Sequence, residues 1–281
     1  MVVSSLVAIG VARLGGASTW IGRVGDDGFG ERVIRELRAE GVGVRAVLDE
    51  GAATGLMVKE RVTAQSVRVH YRRTGSAGSR LCPDDVDASE IVCAGVLHVT
   101  GITPALSESA AHAVRHAIDI ARGAAVPVSV DVNHRASLWP HPARAVAAYR
   151  DLLATATVVF AGPDEAALIV GAADHATMAR RLADLGPSQV LLKRGGEGCL
   201  ALVDGVVHEV AALPIDPFDT VGAGDAFAAG YLAELLEGAP LETRLGTAAR
   251  CGAFACLGPG DWESLPRRRD LALLDGEPVI R

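Results

Sequence analysis

Two carboxylates bracket a Gly-x-Gly turn in Asp219-Thr220-Val221-Gly222-Ala223-Gly224-Asp225, which runs straight into Ala226-Phe227-Ala228-Ala229-Gly230-Tyr231-Leu232. The apolar stretch reads as a helix, and a helix start presents unpaired backbone N–H groups and the positive end of its dipole. An anionic group in transit can rest on the amides of Gly222, Ala223 and Gly224 while Asp225 accepts the proton of an attacking hydroxyl. The glycines allow a close approach to the main chain that a β-carbon would obstruct. The chemistry this spacing suits is phosphoryl transfer. A bare Gly-x-Gly-Asp would be an ordinary helix entry, so the rest of the chain has to supply a nucleotide and an alcohol.

Several other stretches carry usable groups. In Asp131-Val132-Asn133-His134-Arg135, the planar guanidinium of Arg135 suits a carboxylate or a phosphate. Tyr71 and Arg73 are two apart on a strand and so share a face. Lys193-Arg194-Gly195-Gly196-Glu197-Gly198 is a glycine-rich turn between strands. In Gly162-Pro163-Asp164-Glu165 the acids suit a helix start, and Asp261 stands in Gly258-Pro259-Gly260-Asp261. His112 and His116 have i, i+4 spacing but no third ligand nearby, and read as helix-surface residues.

Together these stretches resemble the PfkB, or ribokinase-like, family of sugar kinases, whose C-terminal motif usually reads Asp-Thr-x-Gly-Ala-Gly-Asp. Gly22-Arg23-Val24-Gly25-Asp26-Asp27-Gly28-Phe29-Gly30 is similar to the family's N-terminal Gly-x-Asp-x-x-Gly element. Tyr71 to Ala77, Gly101 to Leu106, and Asp131 to Arg135 followed by Leu138-Trp139 narrow the resemblance to 2-keto-3-deoxygluconate kinases. The resemblance implies Asp225 as catalytic base and Gly222, Ala223 and Gly224 as anion hole. It places Tyr71, Arg73, Arg135, Asp225 and Asp261 against the sugar acid. Asn133, Lys193, Gly195, Gly198, Gly222 and Gly224 fall on the nucleotide, and Glu165 acts on a metal through water. ATP and Mg2+ are the implied cofactors, with a monovalent cation as an option, and a homo-oligomer is compatible with the family. Another sugar (ribose, fructose or a nucleoside) is the alternative substrate, and a non-catalytic sugar-acid or nucleotide-binding protein the alternative class.

The elements that must position these groups follow from composition and period. The 281 residues are 49% hydrophobic and 22% charged, enough for a large core. A net charge of −7 argues against nucleic acid, and Arg267-Arg268-Arg269 is the sole basic run. Five cysteines without a C-x-x-C pair suit reduced thiols in a cytoplasmic protein, and no apolar stretch is long enough to span a membrane. The only lysines are Lys59 and Lys193, read as compositional bias. Short apolar runs near 96–99, 126–130, 158–160, 190–192 and 201–203 alternate with helical stretches, predicting a mostly parallel sheet covered on both faces. The expected fold is one ribokinase-like three-layer α/β/α domain over residues 1–281, with residues 43–76 forming a small, partly truncated β lid. Functional residues then gather at the carboxyl ends of the strands.

The pattern also departs from the family. Ser5-Leu6-Val7-Ala8-Ile9-Gly10 aligns with the family's first helix, with Leu6 where an asparagine is usual. One sheet strand and part of the lid are therefore expected to be missing, through a late start site or a shortened protein. Gly162 replaces an asparagine, Met57 a tyrosine and Ala249 an asparagine near the adenine.

Overall fold

The computed structural model describes residues 5–63 and 66–276. Helix α1 (Ser5–Arg13) buries Val7, Ile9 and Val11. Strands β1 (Thr19–Gly25) and β2 (Gly43–Asp49) run parallel, joined by the crossover helix α2 (Gly28–Ala39). Asp27 caps α2: its carboxylate accepts from Phe29 N and Gly30 N, and also from Thr54 N and Oγ1. These donors, led by the Thr54 amide, hold Asp27 below the usual carboxylate range. Gly30 is required here, because a β-carbon would stand 2.2 Å from Gly25 O. The Gly-x-Asp-x-x-Gly element is thus a fastener between the helix and the segment that leads into the lid.

Strands β3 (Leu56–Thr63) and β4 (Ser66–Arg72) form an antiparallel hairpin that pairs Met57 with Tyr71 and Lys59 with Val69. This hairpin occupies the stretch expected to form the lid. Within the expected range of 43–76, Gly43–Asp49 pairs in parallel with β1 and takes no part in the hairpin.

The remainder alternates as expected: α3 (Ala88–Val92), β5 (Leu97–Thr100), α4 (Ile102–Leu106), α5 (Glu108–Gly123), β6 (Val128–Asp131), α6 (Pro142–Leu153) and β7 (Val158–Ala161). Then come α7 (Pro163–Val170), α8 (His175–Ala183), β8 (Gln189–Lys193), β9 (Cys199–Val203), β10 (Val206–Val210), α9 (Ala223–Leu236) and α10 (Leu241–Ala255). The sheet order is β10-β9-β8-β7-β6-β5, with β5 to β8 parallel and the last two strands antiparallel. Alternate strand residues enter opposite layers. Val159 and Ala161 pack with α5 to α8, whereas Val158 and Phe160 pack with α1, α9 and α10. Burial on both faces is why these strands read as continuous apolar runs.

Strand β1 pairs with β2 alone and β5 ends the larger sheet, among the described residues. Thr19 and Ile21 on one side and Val96 to His98 on the other line a groove of about 420 Å³ between them. No helix among the described residues is long and apolar enough to cross a membrane.

His98, on β5, is 2% exposed and lies 3.0 Å from Ser129 Oγ through Nδ1. Burial pushes its imidazole from 6.5 down to about 4. Between those values the unfolded chain holds a proton that the folded chain does not, so stability falls as pH drops from 6.5 to 4. The contribution is about 3 kcal/mol. Urea unfolding across this range is expected to show a flatter pH dependence for His98→Gln than for the native chain, and identical slopes would remove His98 as the cause.

Candidate active site

The turn before α9 is held from two sides. Asp219 Oδ1 accepts from Val221 N at 3.0 Å, and Cys256 O accepts from Phe218 N at 2.7 Å. Gly222 has φ +88°, and a β-carbon there would stand 2.9 Å from Asp261 O, so only glycine fits. From this bend α9 starts, and first-turn amides of a helix have no intrahelical acceptor. Ala223 N makes one long contact, 3.3 Å to Thr220 O.

Two hollows meet at this helix start. Gly222 and Asp225 line a cavity of about 380 Å³ together with Met57, Tyr71, Arg73, Asn133, Arg135 and Asp261. Ala223 and Gly224 line a cleft of about 460 Å³ with Lys193, Gly195, Gly198 and Ala249, walled by Leu213, Pro214 and Ile215. The amides of α9 therefore stand between the two chambers. Asp225 faces the first of them.

Charge is distributed unevenly around this junction. Arg73 stacks over Tyr71, its Cζ 4.2 Å from the ring centroid, and its Nη2 is buried without a hydrogen-bond partner. Burial, with Arg135 adding repulsion, lowers the Arg73 pKa against the favourable effect of Tyr71. Arg135 Nη1 donates to His134 O at 2.9 Å. The segment bearing Arg135 is fixed by the buried Tyr149, whose hydroxyl lies 2.9 Å from His134 Nδ1 and accepts from Trp139 Nε1 at 2.9 Å. Burial raises Tyr149 to about 12, keeping it a neutral hydrogen-bonding post.

On the cleft side, Lys193 Nζ donates to Asp131 Oδ2 at 2.7 Å, and Asp131 Oδ1 is buried without a partner. A β-carbon on Gly224 would stand 3.2 Å from Lys193 Nζ, which places the ammonium against the first turn of α9. Burial pulls Lys193 down, but Asp131 and Glu165 more than offset it, so it stays charged. Glu165 accepts from His134 N at 2.6 Å and from Gly162 N at 2.7 Å. Burial and the charge of Asp131 raise its pKa.

A carboxylate beside a helix start, set between a sugar-sized cavity and a glycine-lined cleft, is the arrangement that a sugar kinase needs. A model of the pfkB family carbohydrate kinases matches residues 7–268. The chain belongs to the PfkB family of carbohydrate kinases.

This PfkB kinase is 36% identical to the 2-dehydro-3-deoxygluconokinase of Bacillus subtilis (strain 168), over 95% of its own length and 84% of the relative's. It is 38% identical to the 2-dehydro-3-deoxygluconokinase of Thermoproteus tenax, over 93% and 81%. The crystal structure of a PfkB protein from Polaromonas sp. JS666 superimposes with a TM-score of 0.86 at 35% identity, covering 95% of this chain and 87% of that one. The ribokinase-like α/β/α expectation holds, and this PfkB kinase is a phosphotransferase that acts on a sugar hydroxyl.

Most of the residues singled out in the sequence are brought together. Tyr71, Arg73, Arg135, Asp225 and Asp261 share the first cavity, while Lys193, Gly195, Gly198 and Gly224 line the cleft. Asn133, expected on the nucleotide, stands at φ +42° just past β6 and lines the first cavity, as does Gly222. Ala249 lines the cleft and Met57 the cavity, the places where the family's asparagine and tyrosine were expected. His112 and His116 belong to α5, and among the described residues no group of three His, Cys, Asp or Glu is arranged to hold a metal.

Sequence reasoning gave no role to Asp131, Tyr149 or Lys59. The scarcity of lysine reads as compositional bias in the sequence, with only Lys193 expected at the site, yet both ammonium groups flank the turn before α9. Lys193 meets Asp131 beneath it, and Lys59 meets Asp219 at its start. The rarity of lysine in a chain with 27 Lys and Arg was the available signal.

Proposed function

We propose that this enzyme transfers the γ-phosphoryl group of ATP to the terminal hydroxyl of 2-keto-3-deoxygluconate, giving the 6-phospho acid and ADP. The observation that carries this reading is the pair of guanidinium groups, Arg73 and Arg135, with Tyr71 in the cavity that Asp225 faces. A neutral sugar has no use for two cations there. A carboxylate would supply the acceptor that Arg73 Nη2 lacks, as a charge-assisted hydrogen bond. The 2-dehydro-3-deoxygluconokinase relatives support the same substrate.

The hydroxyl at the far end of the sugar acid then meets Asp225, which takes its proton as the oxygen attacks phosphorus. The amides of Gly222, Ala223 and Gly224 hold the transferring group, and Lys193 offsets charge from the nucleotide side. Gly195 and Gly198 let the backbone run against the nucleotide, and Asp261 contacts a sugar hydroxyl.

The donor set fits a magnesium ion that arrives with ATP, since such an ion keeps several waters and takes few protein ligands. Glu165 and the unpartnered Asp131 Oδ1 would hold it through water. Each Glu165 oxygen accepts one backbone amide and keeps a lone pair. When bound, the ion neutralises charge on the β- and γ-phosphates.

ADP release measured with 2-keto-3-deoxygluconate, ribose and fructose tests the substrate. Faster turnover of a neutral sugar would overturn it, and binding without ADP release would point to a sensor. Arg73→Met is expected to lower kcat/KM for the keto acid about 10- to 100-fold, the worth of one charged hydrogen bond. Turnover of fructose, if measurable, should be unaffected. An equal loss on both sugars would mean that Arg73 only shapes the cavity.

A further inference from the structure

Lys59 projects from the lid, on the same face of β3 as Met57, and reaches the catalytic turn. Its Nζ donates to Asp219 Oδ2 at 3.1 Å and to Gly260 O at 3.3 Å, and it pairs with the Asp261 carboxylate. The other oxygen of Asp219 accepts Val221 N, one residue before Gly222. Gly222 in turn packs on the main chain of Asp261, where a β-carbon would come within 2.9 Å of the carbonyl oxygen. One ammonium thus joins three pieces of chain that meet only at the anion hole: the lid, the turn entering α9 and the Gly260–Asp261 bend.

We propose that Lys59 is a positioning residue for phosphoryl transfer, a tethered cation that neutralises Asp219 and Asp261 and fixes the anion-hole turn when the lid is in place. Asp219, Asp225 and Asp261 stand around the point where charge develops on the group in transit, and their summed negative charge opposes the transfer step. Lys193 lies on the cleft side and is committed to Asp131. On the cavity side the ion pairs of Asp219 and Asp261 run to Lys59, whose side chain is only 20% exposed, so solvent screens them incompletely. Position matters as much as charge. With Asp219 held by Lys59 and Val221 N together, the carboxylate cannot swing away, and the amide of Gly222 keeps its direction.

This inference rests on the phosphotransferase reading, and the experiment separates the two. Steady-state ADP release is measured for the native enzyme, Lys59→Ala and Lys59→Arg, with and without added ammonium chloride, sodium chloride serving as the ionic-strength control. Native enzyme that releases no ADP would sink the kinase reading itself. With active native enzyme, Lys59→Ala is expected to lose about 10- to 100-fold in kcat with little change in KM for ATP, because the lost contact acts on the turn rather than on nucleotide binding. Lys59→Arg, or ammonium added to Lys59→Ala, should restore a large part of the rate. A kcat for Lys59→Ala within about twofold of native, or a loss that neither arginine nor ammonium repairs, overturns the proposal.

Discussion

Asp225→Asn is expected to lower kcat by about 10²- to 10⁴-fold, the range of a positioned general base. The carboxamide keeps the size of the carboxylate and can still hydrogen-bond the incoming hydroxyl. It cannot accept the proton. Asp225 lines the cavity with Tyr71 and Arg73, whereas the cleft proposed for the nucleotide is built by Lys193, Gly195, Gly198, Ala223 and Gly224. Calorimetric titration with ADP should therefore give nearly native affinity in the variant. The loss then sits in kcat, as expected for a group whose contribution is made only in the transition state. Near-native turnover by the asparagine enzyme would remove Asp225 from the mechanism. A collapse of ADP affinity would instead show that the substitution had disturbed the start of α9.

Gly222→Ala carries the second large effect, and it can be separated from simple strain. Gly222 sits at φ +88°, where a non-glycine residue costs about 1–2 kcal/mol, and its β-carbon would also press on Asp261 O. Relief requires the bend to shift, which moves amides that must point at the transferring group. Losing one such donor costs about 10²- to 10³-fold in kcat. Gly205, in the turn between β9 and β10, provides the control. It has φ +81°, and a β-carbon there would meet nothing within 4 Å. Both alanine variants should lose stability in urea, Gly222→Ala the more because of its contact with Asp261 O, but only Gly222→Ala should lose turnover. Equal kinetic losses in the two would mean that general destabilisation, and not the anion hole, explains the effect.

The parts of the fold that could be read from the sequence are those encoded by neighbouring residues. Val158 to Phe160 and Val190 to Leu192 were legible as buried strands because both of their faces are covered, which makes every position apolar. The start of α9 was legible because a Gly-x-Gly bend followed by a long apolar helix is a local pattern. Gly43–Asp49 was assigned to the lid because an exposed strand has the same alternation whichever neighbour it pairs with. Its partner, Thr19–Gly25, lies across an intervening helix. The course of the chain past Asn133 was not legible for a similar reason: the direction in which it leaves β6 depends on Glu165 and on Tyr149, itself held by Trp139, which pin His134 from separate elements.

Lys59 marks the limit most clearly. On paper it is a lysine on a charged, exposed hairpin, and its carboxylate partner is 160 residues away. By itself the sequence determined the chemistry available at the head of α9, the layered sheet that carries it and the family to which the chain belongs. Only the tertiary structure decided which carboxylates share an ammonium, which chamber each side chain enters and which buried guanidinium is left without an acceptor. Backbone dipoles, glycine bends and apolar periods are fixed within a few residues. The ion pairs and cavities of this site form where distant segments meet, at spatial separations that set their Coulomb energy and that linear order does not record.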